Sequence, residues 1–364
     1  MKRGVMFKSL MLSLTALTLF LCACSEKKAE EPEVTSVFKV GMIYPLSGAA
    51  GYVGASGKAA VKIFEEENAG NKYQFEFFWE DSLQNAAERV ASAHKLIDVD
   101  KVDALITIGS GSASAIAPVA EKGKVLHFAI ANTPEASVGD YNFAMATRPD
   151  KEAQKLLSEM WDKGLTKAAM VTQTQAFNLA ASNEIRKIAP DYGVDLVLDE
   201  EVNNGERDFR LLASKIQAVN PQIVIVNLYI PEINIFVKQL KDLLPDVRIT
   251  GIETLAFPED KTLLEGYWFV DQSYPQKEFI KRLKEVTGKD DGDFAENVYT
   301  SLQLMTESLN ENGNDKTKMI EFLQSGKKFD TVLGKVAMDK NGRLESEAGM
   351  KIIKNGRVVP YKVN

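Results

Sequence analysis

From residue 37 onward, short apolar runs alternate with amphipathic stretches, and after Arg148-Pro149 the alternation begins again. In the first set, residues 37–44 (VFKVGMIY), 74–80 (QFEFFWE), 103–108 and 125–130 read as strands. Helices with Ala, Val and Leu on one face are expected over 56–68, 85–97 and 113–122. Strands that are apolar throughout belong in a parallel sheet covered by helices on both sides, because only then are both of their faces buried. The second set repeats the pattern, with helices over 151–163, 180–188, 209–219 and 232–243 and strands over 168–172, 194–198, 222–228, 247–251 and 267–270. The expected fold class is therefore α/β, as two doubly wound parallel-sheet lobes with a cleft between them. The patterned region of about 330 residues exceeds what one hydrophobic core usually holds, which agrees with two lobes. Three more helices are expected over 276–286, 294–309 and 317–324. The turn signals Asp339-Lys340-Asn341-Gly342 and Lys354-Asn355-Gly356-Arg357 predict hairpin-like connections in the tail.

The residues before this pattern are of another kind. Lys2, Arg3 and Lys8 lead into an almost wholly apolar stretch over 11–23, about the length of a signal-peptide core and short of the roughly 20 residues of a membrane-spanning helix. The two cysteines of the chain, Cys22 and Cys24, sit at its end. A metal pair would need further ligands, and the chain offers only His94 and His127, each in an apolar segment. A disulfide across one intervening residue would be strained. Processing is the remaining reading, since Leu21-Cys22-Ala23-Cys24 resembles a bacterial lipobox, in which the signal is cut before the last cysteine and that sulfur receives a diacylglycerol. Residues 1–23 are thus expected to be a lipoprotein signal peptide and Cys24 the lipidated first residue. Residues 24–36 are expected to be a flexible tether, because SEKKAEEPEVTS is too polar and charged to bury itself. Beyond Cys24 the chain has no thiol chemistry, and the 41 Lys and Arg against 51 Asp and Glu of residues 24–364 disfavour nucleic acid and leave no basic patch for anionic lipid.

Ligands of open parallel sheets bind beyond the carboxyl ends of the strands, where helix N-termini point their free N–H groups, so the informative residues should follow the strands. After the first strand come Pro45 to Gly48 and Gly51-Tyr52-Val53-Gly54. After the third comes Gly109-Ser110-Gly111-Ser112, and after the fourth Asn132-Thr133-Pro134. The second lobe places Phe177, Tyr229 and Glu253 at comparable points. Ser110, Ser112, Asn132 and Thr133 supply small hydroxyl and amide groups beside a helix start, which suits a carboxylate. Glu253 in a closing cleft would need a cation, and Tyr52, Phe177 and Tyr229 could wall an apolar side chain. Together they describe a site for an α-amino acid or a similar small carboxylate. Each also has a plain structural reading, as a cap, a turn, a solvated carboxylate or a core aromatic. Catalysis is not indicated. The Gly-Ser loop does not fit Gly-x-Ser-x-Gly, it lacks the lysine of a phosphate loop, and neither histidine lies at a strand end.

The stretches KVGMIYPLSGAAGYVGASGKAAVKIFEEENAG, EDSLQNAAERVASAHKLIDVDKVDALITIGSGS, APVAEKGKVLHFAIANTPE, ERDFRLLASKIQAVNPQIVIVNLYIPE and GKVAMDKNGR, in this order, resemble the type 1 periplasmic binding proteins of the branched-chain amino acid group. These are the solute receptors of ABC importers, and the resemblance spans residues 37–361. It implies a hinge of three crossings, with lobe one over 37–148 and 273–330 and lobe two over 149–272 and 331–364. It implies that the loops holding Ser110, Ser112, Asn132 and Thr133 bind the ligand's carboxylate and amino group, that Tyr229 lies against it, and that Glu253 meets an ammonium. Either Asn132 or Thr133 could stand where the family's fourth-strand hydroxyl falls, and Ala176-Phe177 replaces a common Tyr-Gly pair. The partners implied are a small-molecule ligand and a membrane permease, with no cofactor, and the location is the cell envelope. An envelope sensory or interaction lipoprotein with altered ligand binding would share the same fold.

Overall fold

The computed structural model describes residues 36–82, 85–258, 260–289 and 292–361. The expected signal peptide, the expected lipidation site Cys24 and all of the expected tether except Ser36 lie outside the described residues. Among those described, no helix is long and apolar enough to cross a membrane.

The first sheet is parallel and holds β1 (Ser36–Tyr44), β2 (Tyr73–Asp81), β3 (Ala104–Ile108), β4 (Leu126–Ile130) and β5 (Asn142–Ala144), in the order β2-β1-β3-β4-β5. Helices α1 (Gly51–Glu67), α2 (Ala86–His94) and α3 (Ser110–Gly123) connect them. The strands that read as continuously apolar are those covered on both faces, as in β4, where every residue is buried. The second sheet repeats the plan. It is formed by β6 (Lys167–Gln173), β7 (Asp195–Val202), β8 (Ile223–Asn227) and β9 (Ile249–Gly251), in the order β7-β6-β8-β9 and all parallel. Its helices are α4 (Pro149–Asp162), α5 (Ala176–Ile188), α6 (Arg210–Val219) and α7 (Glu232–Leu243). Along β8 the side chains alternate, Val224 and Val226 packing with Phe236 on one face and Ile223 and Ile225 with Met170 on the other.

The rest of the chain travels between the two units. After β10 (Trp268–Gln272) come α8 (Lys277–Thr287), α9 (Ala295–Asn312) and α10 (Lys316–Leu323), then the short strands β11 (Phe329–Thr331), β12 (Gly334–Met338) and β13 (Leu344–Glu345), and the hairpin β14 (Ala348–Lys354) and β15 (Arg357–Pro360). Core membership shows three passages: from Met145 in the first core to Ala153 in the second lobe, from Val270 back to Phe279, and from Leu344 out again to Met350. The packing moves one expected boundary. Residues 331–364 were assigned to the second lobe, yet Val332, Leu333, Val336, Met338 and Leu344 pack in the first core, and only β14 and β15 join β10. Turn signals reveal a hairpin but not the sheet it lands on, which long-range apolar packing decides.

A second difference concerns α1, expected from residue 56 and beginning at Gly51. Glycines at 51, 54 and 57 lower helix propensity and make the first turn read as loop. Gly54 is there for contact, since a Cβ on it would lie 2.2 Å from the Pro45 carbonyl oxygen. Tyr52 is therefore a helix residue fixed against the end of β1. At the crossings, Asn297 of α9 donates from Nδ2 to the Met145 carbonyl (2.9 Å) and to Gln272 Oε1 (2.8 Å), tying the first two passages together.

Candidate functional site

Strand order reverses beside the first strand of each sheet, between β1 and β3 and between β6 and β8. Loops leaving the carboxyl ends at such a point run to opposite faces and leave a crevice. The two crevices meet in a cleft of about 590 Å³ lined from both lobes. Five of the expected residues line it: Tyr52, Ser110 and Ser112 from the first lobe, Phe177 and Tyr229 from the second.

The polar part of the cleft is made by two helix starts. Gly109, with φ of +90°, turns the chain out of β3 in a conformation that a side chain resists, and α3 begins at once with Ser110. Across the cleft, Gln175, Ala176 and Phe177 begin α5. Neither helix has a side-chain N-cap or an acidic residue in its first turn. First-turn N–H groups have no intrahelical acceptor, and the helix dipole adds partial positive charge, so both starts favour an anion. The two helices come close enough for Asn132 to span the gap, donating from Nδ2 to the Phe177 carbonyl at 3.5 Å. Asn132 also accepts from Ser110 Oγ at 3.3 Å, so it stands behind the serine. Thr133 is buried, and its hydroxyl has no partner among the described residues. Of the two residues that could supply the fourth-strand group, Asn132 is the one bonded to the cleft serine.

Buried polar networks hold both helices in place. In the first lobe His127 links Thr107 Oγ1 (2.8 Å) to Asn142 Oδ1 (2.8 Å). Burial lowers its pKa to about 4, so the ring is neutral. Its Nδ1 proton is donated to Asn142 and its Nε2 accepts from Thr107. The three resemble a catalytic triad in connectivity, but all are fully buried within the sheet and none lines the cleft. In the second lobe Asn227 of β8 and Asn178 of α5 exchange amide hydrogen bonds, and Asn227 Nδ2 donates to Ser182 Oγ at 3.0 Å. That network fixes α5 on the sheet and so places Phe177. Gln173 accepts from the Tyr229 N–H at 2.7 Å and fixes the opposite edge.

The apolar part is aromatic. Tyr229 stacks on Phe257 at 5.7 Å and 8°, with Phe177 6.0 Å from Tyr229 and Phe294 5.9 Å from Phe257. Sequence reasoning missed Phe257 and Phe294, along with Arg89 and Ser82, all of which line the cleft. Phe294 carries no local signal. It precedes α9 in a left-handed conformation (φ +69°), which a bulky residue adopts only when its surroundings impose it, and such strain gathers at binding sites. Arg89 lies on α2 within a helix the sequence predicts, where it reads as one of several solvated charges.

Glu253 is placed differently from the other expected residues. It is buried and follows Gly251, where a Cβ would lie 2.2 Å from the Val226 carbonyl oxygen, but it does not line the cleft. It belongs to a buried group at the crossings formed by Glu152 of α4, Asp271 of β10, Glu296 of α9 and Lys351 of β14, in which Lys351 pairs with Asp271 at 2.7 Å. Burial, then Glu152 and Asp271, push the Glu253 carboxyl well above its usual range, and burial does the same to Glu152. For Lys351 burial opposes the charge, but Asp271 and Glu296 outweigh it and hold the ammonium above its ordinary value. One cation thus faces several carboxyls, pairing directly with Asp271, and burial together with the acidic neighbours disfavours the charged form of Glu253.

A family model described as periplasmic binding protein matches residues 37–354. The leucine-, isoleucine-, valine-, threonine- and alanine-binding protein of Pseudomonas aeruginosa is 23% identical over 332 residues, covering 85% of this chain and 87% of that protein. A leucine-binding protein from Thermotoga maritima superposes with a TM-score of 0.81 at 22% identity, covering 89% of this chain and 98% of that one. A solute-binding protein of an ABC transporter from Rhodopseudomonas palustris, in complex with 3,4-dihydroxybenzoic acid, superposes with a TM-score of 0.79 at 19% identity, covering 90% and 96%.

Proposed function

The chain belongs to the periplasmic binding protein family, whose members it resembles in sequence and fold are substrate-binding proteins and not enzymes, and from that premise we propose that it captures a small carboxylate for an ABC importer. Lipid on Cys24 would keep it at the membrane on a short tether, near its permease. The observation that carries this reading is the pair of uncapped, acid-free helix starts facing each other across an aromatic-walled cleft between the two lobes. An anion there receives N–H and hydroxyl donors from both sides, while its apolar body lies against Phe177, Tyr229 and Phe257. The ligand meets one lobe in the open form, and closure of the other shifts an existing equilibrium by adding contacts only the closed form makes. A micromolar dissociation constant corresponds to about −8 kcal/mol, which a few charge-assisted hydrogen bonds and apolar burial supply after ordering costs.

Relatives named for amino acids and a structural neighbour holding a dihydroxybenzoate suggest two kinds of carboxylate to try first. A thermal-shift panel of amino acids and benzoates tests the reading, because a ligand at about 100 times its dissociation constant stabilises the folded form by about 2.7 kcal/mol. A shift with at least one of them is expected, and none across the panel would overturn it. Lipidation is tested separately by labelling with radioactive fatty acid. Label is expected on the wild type and on Cys22→Ala and lost from Cys24→Ala, and label retained by Cys24→Ala would refute the anchor.

A further inference from the structure

We infer that Arg89 sets ligand class by pairing with the carboxylate, so that the cleft selects an aromatic monocarboxylate over a zwitterionic amino acid. This rests on the carboxylate reading above and deepens it. Among the described residues that line the cleft, Arg89 is the only charged one. Its Nε donates to the Ser82 carbonyl at 2.9 Å, at the end of β2, which fixes the plane of the guanidinium. Among the described residues no carboxylate pairs with it and no acceptor is found for its two terminal nitrogens, which face the cleft lining with donors to offer a ligand. Nη1 lies 3.7 Å from where a Cβ on Gly111 would stand, so the cation sits over the first turn of α3. A guanidinium beside a helix start is two positive features side by side, and an anion held between them relieves both. The fork geometry matches the two oxygens of a carboxylate.

The rest of the cleft argues against an ammonium on the ligand. Among the described residues none that lines the cleft is acidic, and Glu253, the residue expected to meet an amino group, does not line it; it is close enough to act on the Tyr229 hydroxyl, but its carboxyl lies among Glu152, Asp271 and Lys351, where burial disfavours its charged form. A zwitterion would bring a positive charge into a cleft whose described lining holds Arg89 and no carboxylate. The faces of Phe177, Tyr229 and Phe257 suit a flat ring.

Calorimetry on the full chain with benzoate, its neutral isostere benzamide and L-leucine tests this. Wild type should prefer benzoate to benzamide by at least a hundredfold and bind it more tightly than leucine. Arg89→Gln should shrink the benzoate-to-benzamide ratio at least tenfold, with Arg89→Lys intermediate, because a point charge replaces the fork. A merely structural role would weaken both ligands alike and leave the ratio unchanged, as would any general loosening of the fold. A ratio preserved in both variants, or wild-type leucine binding tighter than benzoate, overturns the inference while the solute-binding function stands. Failure to bind any small carboxylate removes both.

Discussion

The two walls of the cleft come from the same strand order yet carry different chemistry. The first lobe supplies hydroxyls, a helix start and a cation through Ser110, Ser112 and Arg89. The second supplies a helix start and ring faces through Phe177, Tyr229 and Phe257. Their supports differ in where they meet the helix. Below α3 the first lobe packs Ala113 on Ala129 and Ala131 at the helix start, and its polar link runs through His127 to Asn142, which donates to the Ala117 carbonyl further along the helix. The second lobe puts its polar link at the helix start, through Asn178, with Ser182 and Asn227 behind it. On the carboxylate reading this is a division of labour, in which the charged wall would attract and orient the anion and the aromatic wall would hold it once closed.

The sharpest way to break that comparison is to release the aromatic wall. Asn227→Ala removes the amide that donates to the Asn178 carbonyl and to Ser182 Oγ in a fully buried site, while Asn178 Nδ2 keeps the residue-227 carbonyl and Ser182 keeps Thr172, at a cost of about 2 kcal/mol, since each buried hydrogen bond contributes about 0.5–1.5 kcal/mol. A lower urea midpoint at constant slope is the expected readout. A change within about 0.5 kcal/mol, the usual range for an unimportant surface site, would mean that this network does not seat α5. Phe177→Ala tests the wall itself. Removing one ring face from a bound aromatic ligand should weaken binding by about 1–2 kcal/mol, almost all of it as faster release. Stopped-flow traces showing slower association instead would mean that the second lobe meets the ligand first, reversing the roles of the two walls.

Much of the two-lobed plan was legible in the sequence, for a physical reason. Doubly buried strands such as β4 and β8 must be continuously apolar, and amphipathic helices must separate them. The strand-end residues Tyr52, Ser110, Ser112, Phe177 and Tyr229 followed from the rule that crevices form at carboxyl ends. What stayed hidden depended on long-range packing. Phe294 reaches the cleft through a left-handed turn that no local pattern encodes, and Arg89 looks like any surface charge on a predicted helix until α2 is placed beside α3. Glu253 shows a different limit. It follows a short strand and a glycine, which the sequence displays, but whether its side chain faces the cleft or the crossings depends on Glu152, Asp271 and Lys351, which approach from three other segments.

The smallest expected effect is also the one that separates the two kinds of carboxylate. Glu152, Glu253 and Glu296 are each raised above the ordinary carboxyl value, chiefly by burial, with Asp271 adding to all three and Lys351 opposing. A carboxyl with a raised folded-state pKa keeps its proton where the unfolded chain releases it. Its stabilising contribution is therefore complete below the unfolded value near 4.5 and is lost as pH rises towards the folded one. Replacing Glu253 by Gln keeps shape and hydrogen-bonding capacity and removes that titration. The variant should melt with the wild type at pH 4.5 and, at about pH 8, higher by about 2 °C or more, corresponding to roughly 1 kcal/mol in a chain of this size. A lower melting point at pH 8 would show that Glu253 is ionised and paired in the folded state. Ligand binding gives the companion readout. An amino acid that meets Glu253 must first drive off its proton, so its calorimetric enthalpy would change with the ionisation enthalpy of the buffer. An aromatic carboxylate held by Arg89 and the two helix starts leaves that proton in place, and its enthalpy should be the same in phosphate and in Tris.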